Sequence, residues 1–327
     1  MANVRTLTVT LETVTPLFLG GAEPRGTPEL RPPAFRGALR YWLRAALGGV
    51  IGDDIENVRR LEAAVFGSTD EKVDGASIVT VRLSPHNLPP SQLYRRRPPV
   101  SVEKEGRTRR QPTGRDYLYW SMGESGSVER NNYQSAKQFY VPGASFDLTL
   151  NLRPGAKEIN QSFSQAVAAL WLLIHFGGIG SRSRRTGGSL SVRGPLEAEG
   201  LLFSLPVATV DQATSQLATG LRTIRSLFSH IGNTIPQTPS AFDLLYPTAC
   251  RVWVLGTWRS SDAAVESIGA AMRDFRTYRE PDHANVATWL EDALSRPWSV
   301  LPLDFLCPIA TLVEVYLEQS RDESTHL

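Results

Sequence analysis

The chain opens with a segment in which threonine alternates with larger apolar residues. Between residues 5 and 14, Thr6, Thr8 and Thr10 alternate with leucine and valine. This period of two predicts a half-buried strand. After a segment rich in glycine and proline, the apolar residues of positions 34–47 recur at intervals of three and four. That spacing predicts an amphipathic helix with one apolar face.

The same two patterns predict four more elements before residue 200. They are strands over residues 76–83, 145–152 and 189–193, and a helix over 161–176 that stops at two glycines. The resulting order is β-α-β-β-α-β, which is typical of the ferredoxin-like unit found in RRM domains. We therefore expect an α+β protein whose residues 1–200 form a ferredoxin-like N-terminal domain.

Two regions depart from this simple unit. About sixty residues, 84–143, are inserted between the second and third strands, and their prolines and polar stretch predict a long, partly ordered loop. After residue 200, helices are predicted over 211–231, 261–278 and 283–294, and strands over 249–257 and 309–317. We expect residues 201–327 to form a smaller, more helical α+β domain.

Composition narrows the class of protein. The 327 residues are 41% hydrophobic and 21% charged, which is typical of globular proteins. No run approaches the ~18 apolar residues of a membrane span, so we expect a cytoplasmic protein with no membrane partner. Cys250 and Cys307 are far apart and the five histidines are scattered. We expect neither a metal site nor another cofactor, because metal sites need three or four ligands.

Basic charge is concentrated in one part of the insertion. Residues 94–115 contain eight basic and two acidic side chains, a net charge of +6 in a chain whose total is only +2. A local excess of this kind indicates a footprint for an anionic partner.

A glycine–arginine loop, residues 177–190, joins the second predicted helix to the fourth predicted strand. It contains five glycines and three arginines, namely Gly177, Gly178, Gly180, Gly187, Gly188, Arg182, Arg184 and Arg185. Glycine allows positive φ and a close approach of backbone to ligand, and arginine offers forked donors to phosphate oxygens. Together they favour anion binding over the alternative of a flexible, solvated turn.

The position of this loop argues against a nucleotide cofactor. A dinucleotide fingerprint follows a strand and opens a helix, and a Walker loop needs a lysine near its end. The loop here follows a helix and contains no lysine. A polymeric phosphate backbone is the expected partner. Arg36, Arg40 and Arg44 lie four residues apart on the first helix, where they form either a second row of phosphate contacts or a solvated edge.

Residues 15–21 (TPLFLGG) and 29–44 (ELRPPAFRGALRYWLR) resemble the RAMP superfamily of CRISPR systems. The glycine–arginine loop is similar to the glycine-rich signature of that superfamily, with Thr186 where the signature usually has glycine. The resemblance is closest to the first-named RAMP subunit of the type III-B Cmr effector complex. It implies a subunit at the end of a multi-subunit particle, which holds CRISPR RNA near its 3′ region and helps to capture complementary, single-stranded target RNA. The implied partners are these two RNAs and the other Cmr subunits.

Two other functions compete with RNA binding. An endoribonuclease that processes CRISPR RNA or cleaves target RNA would need a general base, and His175 is the only histidine near the loop. Its helical context favours burial or helix capping, and the segment 20–33 holds Glu23 and Glu29 but none of the aspartates that the resemblance implies for cleaving subunits. We therefore expect no catalytic residues. The third alternative is a pure assembly protein that docks neighbouring subunits through exposed Tyr117, Tyr119 and Trp120.

Overall fold

The computed structural model describes residues 5–68, 75–104, 106–156, 161–204, 209–232, 244–245, 250 and 252–276. Its elements follow in the order β1 (Thr6–Thr13), α1 (Pro32–Ile51), α2 (Ile55–Phe66), β2 (Val79–Asn87), β3 (Gln92–Leu93), β4 (Val100–Lys104), β5 (Arg107–Gln111), α3 (Gly114–Leu118), β6 (Gln138–Phe139), β7 (Ser145–Leu152), α4 (Ser162–Phe176), β8 (Leu190–Val192), β9 (Glu197–Ala198), β10 (Leu201–Leu202), α5 (Val210–Phe228) and α6 (Ser261–Arg276). Two 3₁₀ turns, Trp120–Met122 and Ser183–Arg185, complete the description.

A four-stranded antiparallel sheet in the order β2-β7-β1-β8 forms the centre of the fold. One face carries polar side chains that pair across strands, such as Thr8 with Thr149 at 3.0 Å and Thr10 with Asp147 at 2.7 Å. The other face buries Val9 and Leu11 among the apolar residues of the core. The alternation in the first strand therefore predicted correctly that one face is polar and the other is buried.

Two helices cover the buried face of the sheet. Helix α1 begins with two prolines, which suit a first turn because the amide that proline lacks would have no partner there. Its residues Phe35, Leu39 and Leu43 are fully buried at intervals of four. Residues 162–174 of α4 are buried all round, because α1, α2 and α5 pack against this helix as well as the sheet. This arrangement accounts for the almost uniformly apolar sequence of α4.

Helix α2 was not predicted from the sequence. Asp54 caps its first turn by accepting a hydrogen bond of 3.1 Å from the amide of Asn57. Its buried residues include Leu61, Val65 and Phe66, which join the main core. The helix packs on α1 and brings Glu62, a charged residue, to a buried position.

The expectation of a partly ordered loop over residues 84–143 is wrong for the residues that the structure describes. The insertion contains the β4–β5 hairpin, the β3–β6 pair and α3. A second apolar cluster forms beneath it, made of Phe18, Tyr94, Leu118, Tyr119, Met122 and Val265. Its buried Asp116 accepts hydrogen bonds from the Tyr94 hydroxyl and the Arg97 amide, so the cluster leaves this carboxylate satisfied. This small core gives the insertion a defined structure.

The two helices after residue 209 pack on residues that precede residue 200. Helix α5, close to its predicted bounds, places Ile224 and Phe228 in the same core as the sheet. Helix α6 packs on α3, and its Glu266 carboxylate accepts hydrogen bonds from the amides of Gly114 at 2.6 Å and Arg115 at 3.1 Å. These contacts cross the domain boundary that the sequence predicts at residue 200.

The remaining predictions for the C-terminal region have different outcomes. Residues 252–257 lie in the segment predicted as a strand, and they are not part of any strand. The helix predicted over 283–294 and the strand predicted over 309–317 lie outside the described residues. A separate, smaller C-terminal domain therefore stays a prediction. Among the helices of the described ranges, none is both long enough and apolar enough to span a bilayer.

Candidate nucleic-acid interface

The glycine–arginine loop is folded against the segment that follows β1. The amide of Ser181 donates to the carbonyl of Phe18 at 2.8 Å, and the amide of Gly188 donates to that of Pro16 at 2.9 Å. Within the loop, the Ile179 amide donates to the Gly188 carbonyl at 2.9 Å. The loop is thus a fixed part of the fold, unlike the solvated turn considered as the alternative.

The glycines of the loop are required by its own packing. Gly180 and Gly188 have φ of 83° and 65°, and a side chain at either would overlap a carbonyl oxygen, that of Phe18 or that of Ile179. A Cβ on Gly178 or Gly187 would lie 2.8 Å from a carbonyl oxygen of the loop. Close approach to a ligand is therefore not needed to explain these residues. Gly180 is exposed, whereas Gly187 and Gly188 are buried.

Two residues other than glycine also have left-handed backbone conformations in this loop. They are Arg182, with φ of 65°, and Thr186, with φ of 67°. Such a conformation is costly for a β-branched residue. The hydroxyl of Thr186 lies 3.0 Å from that of Tyr119 in the insertion, and its carbonyl accepts hydrogen bonds from Thr15 and Ser189. These contacts offset the strain at the position where the resemblance leads one to expect glycine.

The three arginines of the loop have different surroundings. Arg182 donates from Nη2 and Nε to Oγ of Ser121, at 2.7 and 3.1 Å. Burial, followed by the positive charge of Arg185, lowers the pKa of Arg182. Arg184 is exposed, with its guanidinium carbon 5.8 Å from the centre of the Tyr41 ring. The effect of Arg185 on the pKa of Arg182 indicates that these two side chains lie close enough for their positive charges to repel each other.

Two further cations lie beside the loop and were missed from the sequence. Lys137 donates from Nζ to Oγ of Ser181 at 2.8 Å, and burial together with the charge of Arg25 lowers its pKa. Arg25 donates to the carbonyl of Ser121 at 3.3 Å, the residue whose hydroxyl binds Arg182. Arg25, Lys137, Arg182 and Arg185 form what we call the cation cluster. Lys137 and Arg25 are isolated basic residues far from the loop in sequence, so no local pattern of the sequence could have identified them.

No carboxylate neutralises the cation cluster within the part of the chain that the structure describes. The ion pairs found there involve other basic residues, such as Arg97 with Asp262 at 2.7 Å and Arg193 with Glu12 at 3.2 Å. Like charges that lower each other's affinity for protons also attract an anion. The cluster is therefore a candidate phosphate site.

The arginines of α1 do not form one uniform ridge. Arg40 and Arg44 both pair with Glu62, whose side chain is only 7% exposed, and Arg40 also donates to the carbonyl of Gly67 at 2.7 Å. The side chain of Arg44 remains 46% exposed. The Nε of Arg36 is buried and has no hydrogen-bond partner among the described residues. Arg40 thus has a structural role that the spacing of four could not reveal.

The basic segment 94–115 is divided between internal contacts and the surface. Arg97 and Arg115 pair with Asp262 and Asp116, and the pairing with Asp262 raises the pKa of Arg97. Arg109 and Arg110 are exposed on the β4–β5 hairpin. The net charge of +6 therefore overstates the charge that is available to a partner.

A cavity of about 540 Å³ adjoins the cation cluster. Its lining includes Arg25, Tyr133 and Gln134, and Tyr133 is exposed.

His175 lies in a setting that suits packing. Its ring centre is 4.4 Å from that of Trp171, and burial lowers its pKa to about 4. The sequence favours burial or helix capping for His175, and the structure places it half-buried in the last turn of α4. Within the described residues, no three histidine, cysteine or acidic side chains are grouped to hold a metal.

The exposed aromatic surface proposed for subunit docking is only partly present. Tyr119 is fully buried in the second apolar cluster and Tyr117 is partly buried against it. Trp120 is 54% exposed, so it alone of the three fits the sequence-based interpretation.

Comparisons with known proteins agree with this picture of the fold. A family model described as the RAMP superfamily matches residues 10–191, more than half of the chain. The CRISPR system Cmr subunit Cmr1-2 of Pyrococcus furiosus is 31% identical over 190 residues, which cover 56% of this chain and 92% of that protein. Cmr subunit Cmr1-1 of the same organism is 29% identical over 185 residues, which cover 56% of this chain and 46% of that protein. The match thus spans about half the length of Cmr1-1.

A solved structure is also similar. The crystal structure of apo Cmr1 from Pyrococcus furiosus matches with a TM-score of 0.55 and 19% identity, covering 90% of this chain and 77% of that one. At this level of identity the similarity is one of fold.

Proposed function

The chain belongs to the RAMP superfamily, and from this premise we propose that it is a non-catalytic, RNA-binding subunit of a type III-B Cmr effector complex. It holds CRISPR RNA near the 3′ region and helps to capture complementary target RNA in the cytoplasm. Its partners are these RNAs and the other Cmr subunits. The two relatives that are Cmr subunits support the assembly, and the sequence resemblance supports the position within it.

One observation carries the proposal of RNA binding. Four cations from three segments distant in sequence meet at the glycine–arginine loop, and no carboxylate of the described residues pairs with them. Bringing like charges together costs free energy unless an anion compensates them. A phosphate backbone supplies regularly spaced anions, and contacts to it fix the position of an RNA without reading its sequence. Base pairing between guide and target then provides the sequence selection.

The predicted site residues take distinct roles in this proposal. Arg182, Arg184 and Arg185 contact phosphates, and Lys137 and Arg25 extend the surface that they form. Gly178, Gly180, Gly187 and Gly188 shape the loop that presents the arginines. Arg36 and the exposed part of Arg44 provide a second row, whereas Arg40 mainly neutralises Glu62.

We also propose that the central sheet and its two covering helices form a ferredoxin-like domain. The sheet order β2-β7-β1-β8, with α1 and α4 as its two crossover helices, is the arrangement that we propose to be ferredoxin-like. Helix α2 and the folded insertion are then additions to this unit. In this arrangement the loop follows the second crossover helix and enters the edge strand β8.

Binding of a labelled single-stranded RNA by the isolated chain tests the proposal. Replacing Arg182, Arg184 and Arg185 together with alanine should weaken binding at least tenfold across unrelated sequences, because phosphate contacts do not depend on the base. The matched control replaces Arg60, Arg153 and Arg222 with alanine. These three arginines are exposed and lie away from the loop, so the control variant loses the same amount of positive charge at other places. Equal affinity of the two triple variants would refute the assignment of the loop.

The non-catalytic part of the proposal has its own test. Incubation of the purified chain with single-stranded RNA and a divalent metal should leave the RNA intact. Reproducible cleavage that is lost in His175→Ala would contradict it.

A further inference from the structure

Three arginines from three separate segments converge on the turn of residues 120–123, which we call the Trp120 turn. Arg182 of the glycine–arginine loop donates to Oγ of Ser121. Arg25 donates to the carbonyls of Ser121 at 3.3 Å and Gly123 at 3.4 Å. Arg96 donates to the carbonyl of Trp120 at 3.0 Å. The turn is therefore held firmly next to the cation cluster.

The indole of Trp120 is displayed at the surface of this turn. The residue is 54% exposed, although a side chain of this size is usually at least half buried in a globular protein. The guanidinium carbon of Arg96 lies 4.2 Å from the centre of the ring, so Arg96 covers one face. The exposed fraction of the residue leaves the rest of the ring open to a ligand.

We propose that Trp120, supported by Arg96, is a stacking platform for one unpaired base of a single-stranded RNA whose phosphates bind the cation cluster. This inference rests on the proposed function and adds a contact to a base to the contacts with the phosphates. Base–aromatic stacking combined with an adjacent basic surface is the usual way of binding single strands without sequence preference.

The surroundings of Trp120 favour a base over the surface of another protein. Among the described residues, every side chain that donates a hydrogen bond to the turn is an arginine. An indole between an arginine and a phosphate site matches the alternation of base and phosphate along a strand. A protein interface centred on Trp120 would instead bury the guanidinium of Arg96 without a carboxylate among the described residues.

Fluorescence anisotropy with two labelled ligands of equal length tests the platform, one a single-stranded RNA and the other a ribose-phosphate oligomer without bases. Trp120→Ala should weaken binding of the RNA by about 5- to 150-fold, the loss of one base stack, and Trp120→Phe should lose less. Binding of the oligomer without bases should not change. Trp253→Ala removes a tryptophan that is 37% exposed and lies in a segment beside a different cavity, and it should bind both ligands as the unmodified chain does.

The outcomes separate this inference from the proposed function. If Trp120→Ala binds RNA as tightly as the unmodified chain, or loses affinity equally for both ligands, the platform is refuted, whereas the triple arginine variant still reports on the loop. If Trp120→Ala keeps its RNA affinity and loses association with Cmr subunits, Trp120 is a protein contact and the platform is also refuted. If the unmodified chain binds no RNA, both proposals are refuted.

Discussion

Thr186 illustrates how a single residue can combine strain with a specific contact. Its φ of 67° is costly for a β-branched side chain, yet its hydroxyl joins the glycine–arginine loop to Tyr119 beneath the insertion. A glycine would adopt the same backbone freely and could not make this contact. The sequence marked Thr186 as a departure from the family pattern, but the compensating partner lies 67 residues away and could not be identified from it.

Substitutions at Thr186 should separate the strain from the contact. Thr186→Gly relieves the strained backbone and loses one hydrogen bond, so its free energy of unfolding should change by less than about 1 kcal/mol. Thr186→Val keeps the strain and loses the hydrogen bond, and it should be about 2 kcal/mol less stable than Thr186→Gly. Urea denaturation measures the difference, and a valine variant as stable as the glycine variant would show that the backbone here is not strained.

His175 should make the stability of the chain depend on pH. Its pKa is lowered to about 4 in the folded state, so the unfolded state binds the proton more readily between pH 6.5 and 4. Stability contributed by neutral His175 is therefore complete above pH 6.5 and is lost as the pH falls, by roughly 1 kcal/mol per pH unit at most.

A pair of histidine variants isolates this effect from the titration of carboxylates. His175→Leu should flatten the decline of unfolding free energy between pH 6.5 and 4, and His86→Gln, at an exposed position, should not. Parallel declines in the unmodified chain and His175→Leu would indicate that His175 is accessible to protons when folded.

Helix α1 was predicted correctly, but the roles of its arginines depend on α2, which was not predicted. The spacing of Arg36, Arg40 and Arg44 predicts correctly that they lie along one side of a helix. It could not predict that α2 would bring Glu62 against two of them, because no local pattern connects residues 18 and 22 positions apart. The second row of phosphate contacts is therefore weaker than the spacing alone suggests.

Arg40 and Arg36 should differ in how much they contribute to the free energy of unfolding. Arg40→Met leaves Glu62 buried with one cation instead of two and frees the carbonyl of Gly67, so unfolding should become easier by about 2 kcal/mol. Arg36→Met removes a guanidinium whose Nε has no hydrogen-bond partner among the described residues, and stability should change by less than about 0.5 kcal/mol. Equal losses for the two variants would show that Glu62 does not depend on Arg40.

The predicted elements succeed where one local pattern dominates. Strand β7 has its predicted bounds and α4 begins one residue later than predicted, because alternation and a continuous apolar run are unambiguous. The insertion was misjudged, because its core is assembled from distant residues such as Phe18, Tyr94 and Val265. Local patterns cannot reveal a core of this kind, since no single segment of it is markedly apolar.

For the whole molecule, the placement of the basic residues relative to carboxylates is more informative about anion binding than the net charge. The net charge of +2 conceals two populations of basic residues. Residues such as Arg40, Arg97 and Arg115 are paired with carboxylates and stabilise the fold, whereas the cation cluster is not paired in this way within the described residues. The composition of the glycine–arginine loop is enough to predict it as a candidate site, whereas Lys137 and Arg25 are brought beside it only by the fold.

The salt dependence of RNA binding tests most directly whether the loop binds the phosphate backbone. For single strands the logarithm of the affinity falls with the logarithm of salt concentration by roughly 0.7 per phosphate neutralised. Replacing Arg182, Arg184 and Arg185 together should therefore reduce the slope by about 2, and the control triple variant of Arg60, Arg153 and Arg222 should keep the original slope. An unchanged slope in the loop variant would contradict the account, because it would place the phosphates elsewhere.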